Sequence, residues 1–468
     1  MSGSPARPAP LAPGARVHLV AIGGAGMSAL GWILLQRGHT VSGSDLRGGR
    51  SCAALSAMGA TVHVGHDAAH VGDADVVVVS TAVPAGNPEV RRAGELGLPV
   101  LHRAEMLAAL MAGRRPLLVA GTHGKTTTTS MTTVCLQAEG LDPSFAIGGS
   151  LHGSGTSAHH GTGDVFVAEA DESDGSFIVY RASCAIVTNV EMDHHDRYES
   201  LRDVQDAFVE FLARREGGAP AIVCLDDVGV RAIRPRLSGE VLTYGESADA
   251  RLRVTARTPE RSGSAFHLEL DDADLGVFRV RLPGRHNVLN AAAATAAALW
   301  GGAQPDAIRA GLDTFAGAQR RFQRLGEAAG VTVVDDYGHH PTELRAVIEA
   351  ARQAHPDGRV VVVFQPHRFT RTVALGGELG LALAGADVAV VTDVYAAGEA
   401  PVPGVTGALV ADAAASLLPD THYVPLLGDA ADVVSRLARR GDLVLTLGAG
   451  DITELGPVLL RRLEERRA

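Results

Sequence analysis

The fold is decided by the stretch LLVAGTHGKTTTTSMTTV, residues 117–134, in which an apolar run meets a glycine-containing loop and then a helix-forming segment. A glycine loop between a strand and a helix points free backbone N–H groups at phosphate oxygens, and the helix dipole favours the anion. Lys125 would reach the terminal phosphates, and the hydroxyl of Thr126 would bind Mg²⁺. Val119 stands where the standard spacing requires glycine, so the loop is shortened. The alternative is a tight turn that carries no ligand.

Lys125 is also the single lysine of the chain. The other 41 of the 42 basic residues are arginines. A bias toward arginine is a property of composition, but it does not explain why the one exception falls inside the loop. Lysine is a compact point charge, whereas arginine is a wide planar fork. We therefore predict that Lys125 performs a role that arginine cannot.

The rest of the chain alternates strand-like and helix-like segments. Apolar runs such as 17–22, 76–80, 360–364 and 443–447 are continuous, which is typical of parallel strands covered on both faces. The pattern predicts an α/β protein built from βαβ units, and 468 residues suit about three domains. The predicted segments are a disordered tail followed by three domains, at residues 1–15, 16–113, 114–321 and 322–468.

Two further glycine-rich turns follow apolar runs. In the first, Gly24, Ala25 and Gly26 precede a helical segment, and Asp45 follows 19 positions after Gly26, where a partner for a ribose hydroxyl belongs. Ala21 replaces the first glycine of the dinucleotide pattern, so the turn favours a nucleoside diphosphate only weakly over a turn without a ligand. In the second, residues 448–452, a phosphate turn and a plain helix start are equally compatible with the sequence.

Acidic residues cluster after two strands of the middle segment. Glu169, Asp171, Glu172 and Asp174 fall within six residues, and repulsion between them is costly unless a cation neutralises it. Carboxylate oxygens suit Mg²⁺. The second cluster, 191-EMDHHD-196, adds histidines that could act as metal ligands or bases. A solvated acidic loop is the alternative for the first cluster, and structural histidines for the second.

The last segment carries histidines and arginines after its strands. His339 lies in DDYGHHPTE, residues 335–343, while Arg368 and Arg371 lie in QPHRFTR, residues 365–371. The two arginines are three positions apart and could form a fork on a carboxylate or phosphate. The alternative for each arginine is a surface or capping role. No Ser-His-Asp order or G-x-S-x-G motif supports a covalent hydrolase.

Composition excludes several classes of partner. The net charge of −11 argues against nonspecific binding to nucleic acid or anionic membranes, which need a basic surface. No apolar run approaches the roughly 18 residues of a transmembrane helix, and the Pro/Ala-rich start does not read as a signal peptide. The four cysteines are far apart, so we expect neither a zinc site nor a disulfide framework, and a cytoplasmic location. The sequence leaves monomer and homodimer open.

Taken together, the strings resemble the Mur ligases over nearly the whole chain after the tail. The matching strings are IGGAGMS, GTHGKTTTT, EADESD, NVEMDHHD, GRHNVLNAAAA, VVDDYGHHPTE, FQPHRFTR and DVYAAGEAP. The resemblance implies a Rossmann-like N-terminal domain for a UDP-sugar, a central P-loop ATPase-like domain with a mostly parallel sheet, and a C-terminal Rossmann-like domain. It further implies ATP-dependent joining of L-alanine to the carboxylate of UDP-N-acetylmuramate, through an acyl phosphate, in peptidoglycan precursor synthesis.

The resemblance also implies roles for individual residues. ATP would contact Gly121, Thr122, His123, Gly124, Lys125, Thr126, Thr127, His286, Asn287, Asn290, Arg321 and Asp336. The UDP-sugar would contact Gly24, Ala25, Gly26, Met27, Ser44, Asp45, His123 and Glu172. L-Alanine would contact Tyr337, His339, Arg368 and Arg371. Two Mg²⁺ ions are expected, on Thr126 and Glu169 and on His194. Lys125, His194, His339, Arg368 and Arg371 would be the catalytic set.

Two departures from the family pattern stand out. Relatives that add later amino acids carry a carbamylated lysine, which this chain cannot supply, and this fits the alanine-adding branch. Gln323 stands where the family usually has an acid. Two other functions remain open from sequence: a recycling ligase that attaches a whole peptide to UDP-N-acetylmuramate, and a nucleotide-binding oxidoreductase or sensor.

Overall fold

The computed structural model describes residues 11–151 and 155–466 of the chain. Most of the predicted tail, residues 1–10, lies outside this range, and the first strand begins at Arg16. No helix in the described ranges is both long and apolar enough to cross a membrane. The four cysteines are free and buried.

The N-terminal segment forms a five-stranded parallel sheet with the order β3-β2-β1-β4-β5. Its elements are β1 (Arg16–Val20), α1 (Ala25–Gln36), β2 (Thr40–Asp45), α2 (Arg50–Ala57), β3 (Thr61–Val64), β4 (Val76–Val79), α3 (Pro88–Glu95), β5 (Val100–His102) and α4 (Arg103–Met111). The strand order reverses between β1 and β4, and ligands of such sheets bind at that point, outside the carboxyl ends of the strands. The glycine turn after β1 lies there.

The central segment places β6 inside a second sheet of ten strands, and the part of the order around β6 is β8-β7-β9-β6-β10-β11-β12. Its elements are β6 (Arg115–Ala120), α5 (Lys125–Ala138), β7 (Ser144–Ala146), β8 (Ala158–His159), β9 (Val165–Glu169), β10 (Cys184–Val187), α6 (Leu201–Ala213), β11 (Ala221–Cys224), α7 (Val228–Ile233) and β12 (Val241–Gly245). Both neighbours of β6 run parallel to it. The phosphate loop and the two acidic clusters therefore emerge side by side at one edge.

Three more strands and two helices follow. They are β13 (Leu252–Glu260), β14 (Gly263–Leu270), β15 (Ala273–Val280), α8 (Arg285–Gly301) and α9 (Pro305–Thr314). Short 3₁₀ helices elsewhere cover Ala68–Val71, Ser176–Val179, Arg234–Arg236, Leu383–Gly385 and Asp451–Glu454.

The C-terminal segment forms a six-stranded sheet with the order β16-β17-β21-β18-β19-β20. Its elements are β16 (Gln323–Ala328), β17 (Val331–Asp336), α10 (Pro341–Ala354), β18 (Val360–Phe364), α11 (Phe369–Ala382), β19 (Val388–Val391), α12 (Ala408–Ala415), β20 (Thr421–Tyr423), α13 (Leu427–Leu437), β21 (Leu443–Leu447) and α14 (Leu455–Glu465). Only the edge strand β16 pairs antiparallel. The predicted α/β class with mostly parallel sheets is confirmed.

The chain forms two compact units. The first comprises the residues through Arg253 with Glu269–Ala273 and Asn290–Gly311, and it holds the N-terminal sheet and strands β6–β12. The second comprises Val254–Leu268, Asp274–Leu289 and the chain from Leu312 onward. The domain boundaries expected from sequence, 113/114 and 321/322, stay a prediction.

Helices α11 and α12 pack closely because α11 has a glycine at the contact. A Cβ on Gly380 would lie 2.5 Å from Val410 O and 2.6 Å from Ala413 Cβ, whereas nothing lies within 4 Å of a Cβ on the exposed Gly377, one turn earlier. Gly380→Ala should lower the free energy of unfolding by about 1–3 kcal/mol through overpacking. Gly377→Ala should raise it by about 0.5–1 kcal/mol through helix propensity. Denaturant titration of both variants checks this, and equal effects would contradict the packing described.

Candidate active site

The loop between β6 and α5 depends on two glycines. Gly124 caps α5 in the left-handed conformation, with φ of 82°, and Gly121 has φ of 132°. A Cβ on Gly121 would clash with the hydroxyl of Thr188, and one on Gly124 would lie 2.7 Å from the side-chain oxygen of Asn290. A larger residue at either glycine would push the loop away from its neighbours. The two glycines therefore let the loop lie directly against the end of β10 and the side chain of Asn290.

Two residues after β10 hold the loop in place. Asn189 accepts from the backbone N–H of His123 at 2.7 Å, and the hydroxyl of Thr188 donates to the carbonyl of His123 at 2.6 Å. The ring of His123 in turn lies 2.9 Å from Glu191. Sequence reasoning did not assign Thr188 or Asn189 to the site. Their position at the end of a strand next to β6 was the available signal.

Lys125 lies at the centre of the site and is paired with Glu172. Its ammonium donates to both carboxylate oxygens of Glu172, at 2.9 and 3.0 Å, and to the carbonyls of Gly121 and Thr122 at 2.7 and 3.3 Å. Burial lowers the pKa of Lys125, but the charges of Glu172 and Asp171 outweigh it and raise the pKa above its usual value. The ammonium is thus charged at neutral pH.

Glu172 was expected on the UDP-sugar, and the structure places it on Lys125. Its side chain is only 1% exposed, and its second contact is the ring of His194, whose Nε2 lies 3.3 Å from one carboxylate oxygen. A ligand would therefore reach Glu172 only by displacing one of these two partners.

The residues expected to bind the first metal ion come together. The hydroxyl of Thr126, on α5, donates to Glu169, at the end of β9, at 3.2 Å. The other oxygen of Glu169 accepts from the N–H of Gly148 at 2.6 Å. These are hard oxygen donors, the type that Mg²⁺ prefers.

His194 belongs to a second group with Asp171 and Glu172, in which one donor atom of each residue lies within 4.8 Å of the others. Burial lowers the pKa of His194, while Glu172 and Asp193 raise it to a net value above the usual one. Burial raises the pKa of Asp171, but Lys125 and the N–H of Ser173 lower it overall. Two carboxylates and one imidazole thus provide a donor set compatible with a divalent cation.

The N-terminal glycine turn is exposed at Gly24 and Ala25, at the start of α1. One oxygen of Asp45 accepts from the N–H of Gly23 at 3.0 Å and closes the turn. Ser44 is buried and donates to Glu89 at 2.6 Å, and Met27 is buried in the core. The turn thus brings Gly24, Ala25, Gly26 and Asp45 together, whereas the side chains of Ser44 and Met27 face the interior.

In the second unit, the residues expected to bind the amino acid gather around His367. Its ring lies 5.8 Å from that of His339, which is 5.2 Å from that of Tyr337. Burial, together with the positive charges of Arg371 and Arg368, lowers the pKa of His367 to about 4. Arg371 is buried, and Arg368 lies at the N-cap position of α11 without a side-chain capping hydrogen bond. The cluster combines two guanidinium groups with three aromatic rings.

Two of the expected catalytic residues have unusual backbones. His194 and Arg368 have φ of 53° and 67°, in the region that favours glycine. Such conformations cost about 1–3 kcal/mol each and are concentrated at functional sites. Other described residues, such as Ala256 and Ala329, share this conformation, so a functional role for His194 and Arg368 rests on their side-chain contacts.

The remaining residues expected at the nucleotide divide between the units. Asn290 lies against the phosphate loop in the first unit. In the second, Asn287 donates to the carbonyl of Pro283 at 2.7 Å, and the guanidinium of Arg321 lies over the ring of Tyr337. Burial raises the pKa of Asp336 to about 6, although its oxygens accept from the N–H groups of Phe322 and Gly338.

The glycine turn at 448–452 is filled by the protein itself. A Cβ on Gly450 would lie 2.5 Å from Gln365 and 2.6 Å from Tyr395, and the chain then enters a 3₁₀ helix at Asp451. Gln365 donates to Asp451 and accepts from the N–H of Ile452. Of the two interpretations that the sequence allowed, this packing favours the plain helix start.

Three family profiles match consecutive parts of the chain. They are described as Mur ligase family, catalytic domain, at residues 16–115; Mur ligase middle domain, at 119–298; and Mur ligase, glutamate ligase domain, at 320–450. The chain belongs to the Mur ligase family. The resemblance read from the sequence strings is thereby confirmed.

Individual Mur ligases match over nearly their full length. The UDP-N-acetylmuramate–L-alanine ligase of Streptomyces avermitilis is 50% identical over 96% of this chain and 98% of its own. That of Saccharopolyspora erythraea is 50% identical over 96% and 93%. The crystal structure of the Thermotoga maritima UDP-N-acetylmuramate–alanine ligase is 28% identical, with a TM-score of 0.82 over 96% and 99%. A murein peptide ligase from Psychrobacter arcticus, 24% identical over 96% and 99%, shares the fold with a TM-score of 0.71.

The half-buried His286 provides a test of desolvation in the second unit. Burial and the charge of Arg321 lower its pKa to about 4, from 6.5. The unfolded chain therefore binds more protons than the native one between pH 6.5 and 4, and His286 removes stability as pH falls through this range. The gap in pKa corresponds to about 3 kcal/mol in full. In His286→Gln, the free energy of unfolding should fall less than in the parent between pH 7 and pH 4, measured by denaturant titration. Parallel pH curves would contradict a neutral His286 whose pKa is lowered by desolvation and by Arg321.

Proposed function

We propose that this Mur ligase joins L-alanine to the carboxylate of UDP-N-acetylmuramate, with cleavage of ATP to ADP and phosphate, in peptidoglycan precursor synthesis. The observation that carries the proposal is the Lys125 ammonium at a phosphate loop, next to the carboxylates of Glu169, Asp171 and Glu172. Full-length identity of about 50% to ligases named for this reaction supports the choice of substrates.

ATP is proposed to bind the loop through residues 121–127, with Lys125 exchanging Glu172 for the β- and γ-phosphates. Thr126 and Glu169 would hold one Mg²⁺, and His194 with Asp171 and Glu172 a second. Bound Mg²⁺ supplies positive charge that offsets the charge of the phosphates. Within the protein, Lys125 itself supplies a fixed positive charge where negative charge accumulates.

A carboxylate is a poor electrophile, so phosphorylation has to supply a leaving group. A carboxylate oxygen of the muramyl group attacks the γ-phosphorus, and ADP leaves. The amine of L-alanine then attacks the acyl carbon, and phosphate leaves. The ammonium of alanine must lose a proton first, and His194, His195 and His339 all remain candidates for the acceptor.

We propose that each of the three segments of the chain binds a different substrate. Residues 16–113 would bind the UDP-sugar, 114–321 ATP, and 322–468 the amino acid. Tyr337 and His339 would contact alanine, and Arg368 with Arg371 would bind its carboxylate, since a pair of guanidinium groups matches a carboxylate. His286, Asn287 and Arg321 would contact the nucleotide, and Asp336 its ribose. Four free, buried cysteines fit the proposed cytoplasmic location.

Phosphate release distinguishes the candidate functions. The enzyme is supplied with ATP, Mg²⁺ and UDP-N-acetylmuramate, and either L-alanine or a tripeptide is added. We expect release that depends on L-alanine. Release that requires the tripeptide would instead indicate a peptide-recycling ligase. If neither compound causes release, the ligase functions are excluded and a nucleotide-binding oxidoreductase or sensor is the remaining candidate.

The lone lysine gives a sharper test. Lys125→Arg should lower kcat by at least about 100-fold, because a planar guanidinium cannot replace a point charge within the loop. Arg115→Lys, the reverse exchange on β6, is the matched control, since Arg115 lies over Trp300 at 4.2 Å and outside the loop. It should keep kcat within about threefold, as expected for a surface charge. Parental kinetics in Lys125→Arg, with unchanged thermal unfolding, would contradict the proposed role.

A further inference from the structure

Arg103 is the first residue of α4 and lies at the carboxyl edge of the N-terminal sheet. Its side chain covers the glycine turn: a Cβ on Gly26 would lie 2.9 Å from Cδ of Arg103 and 3.3 Å from one of its guanidinium nitrogens. Gly26 lies in the first turn of α1, whose N-terminus has no side-chain cap. The guanidinium is therefore held beside backbone N–H groups that no side chain of the turn satisfies.

The same arginine faces the acidic loop of the middle segment. His102, which caps α4, has its Nε2 3.7 Å from Asp174, so the start of α4 lies next to this loop. The positive charge of Arg103 also helps to lower the pKa of Asp171, which lies in this loop. Nevertheless, within residues 11–151 and 155–466 the guanidinium makes no ion pair and no hydrogen bond. It is a partly exposed cation between the glycine turn and the acids.

We propose that Arg103 binds the diphosphate of the UDP-sugar, as a substrate-binding residue not implied by the sequence motifs. The assignment rests on the proposed function. A diphosphate brings two negative charges to a protein with a net charge of −11, and the acidic loop next to the start of α4 carries four carboxylates, those of Glu169, Asp171, Glu172 and Asp174. Lys125 is already engaged by Glu172. A second fixed cation at the turn would offset the repulsion, and a guanidinium can donate to two phosphate oxygens at once.

The diphosphate is favoured over the muramyl carboxylate because Arg103 contacts the turn itself, at Gly26. The carboxylate has to reach the phosphate loop, where Lys125 lies. This difference can be tested with UDP, which has the diphosphate but neither the sugar nor the carboxylate.

The experiment is calorimetric titration of the full-length protein with UDP and with UDP-N-acetylmuramate, without ATP. Arg103→Gln should raise the Kd for UDP by about 10- to 100-fold, the range of a lost charge-assisted contact. Arg103→Lys should restore part of the affinity. Arg91→Gln, which removes an exposed positive charge from α3, is the control and should bind UDP like the parent. In turnover, Arg103→Gln should raise KM for the UDP-sugar while KM for ATP and alanine and kcat stay within about threefold.

Unchanged affinity of Arg103→Gln for UDP would overturn the assignment, including the case in which affinity for UDP-N-acetylmuramate alone falls. An equal loss in Arg91→Gln would also overturn it, because it would show a general effect of charge. If the parent binds UDP with dependence on Arg103 but shows no alanine-dependent phosphate release, the proposed function fails and the assignment of Arg103 stands. Thermal unfolding of each variant excludes loss of the fold.

Discussion

The balance between one ammonium and a group of carboxylates constrains the centre of this protein. Glu172 is 1% exposed and would be strongly unfavourable as an isolated charge. Lys125 neutralises it with two hydrogen bonds, and its own charge is stabilised in return. Removing either partner would leave the other buried and unpaired, the case in which buried ion pairs matter most. An incoming triphosphate offers Lys125 a replacement partner, but it then leaves Glu172 in need of another cation. This requirement links nucleotide binding to metal binding on chemical grounds.

Sheet topology explains why these groups meet. β6 lies between β9 and β10, and both neighbours run parallel to it. The loop after β6, the acids after β9 and the residues after β10 must therefore emerge at one edge. The N-terminal sheet follows the same rule, because the turn after β1 and the start of α4 after β5 lie at its carboxyl edge. In a parallel α/β sheet, short motifs that are far apart in sequence lie close together when each follows the carboxyl end of a strand.

The sequence predicted those parts of the site that depend on local pattern. The strand, glycine loop and helix around Lys125 were readable because spacing and residue type suffice. The meeting of the loop with the acidic clusters followed from strand ends, whereas the pairing of Thr126 with Glu169 was implied by the resemblance. The hydrogen bonds of Thr188 and Asn189 to the loop were missed. Their position after β10 places them near the loop, but it does not show which neighbour each side chain will bond. The contact of Glu172 with Lys125 was equally hidden, because four nearby acids compete for one cation. The resemblance also placed Ser44 along the UDP-sugar; the structure shows its hydroxyl donating to the buried Glu89 of α3, and its role as a ligand residue stays a prediction.

The geometry around Lys125 also explains why this position has lysine in a chain whose other basic residues are arginines. The ammonium reaches four oxygen atoms within 2.7–3.3 Å, two from loop carbonyls and two from one carboxylate. These acceptors surround a single point, which suits the three rotatable donors of an ammonium. A guanidinium spreads its donors over a plane and is wider, so it could satisfy the carboxylate only by leaving the carbonyls of Gly121 and Thr122. Because the glycines fix those carbonyls close to the helix start, the loop has no room to adjust. A chain that uses arginine at 41 of its 42 basic positions therefore has a physical reason to retain lysine at this one.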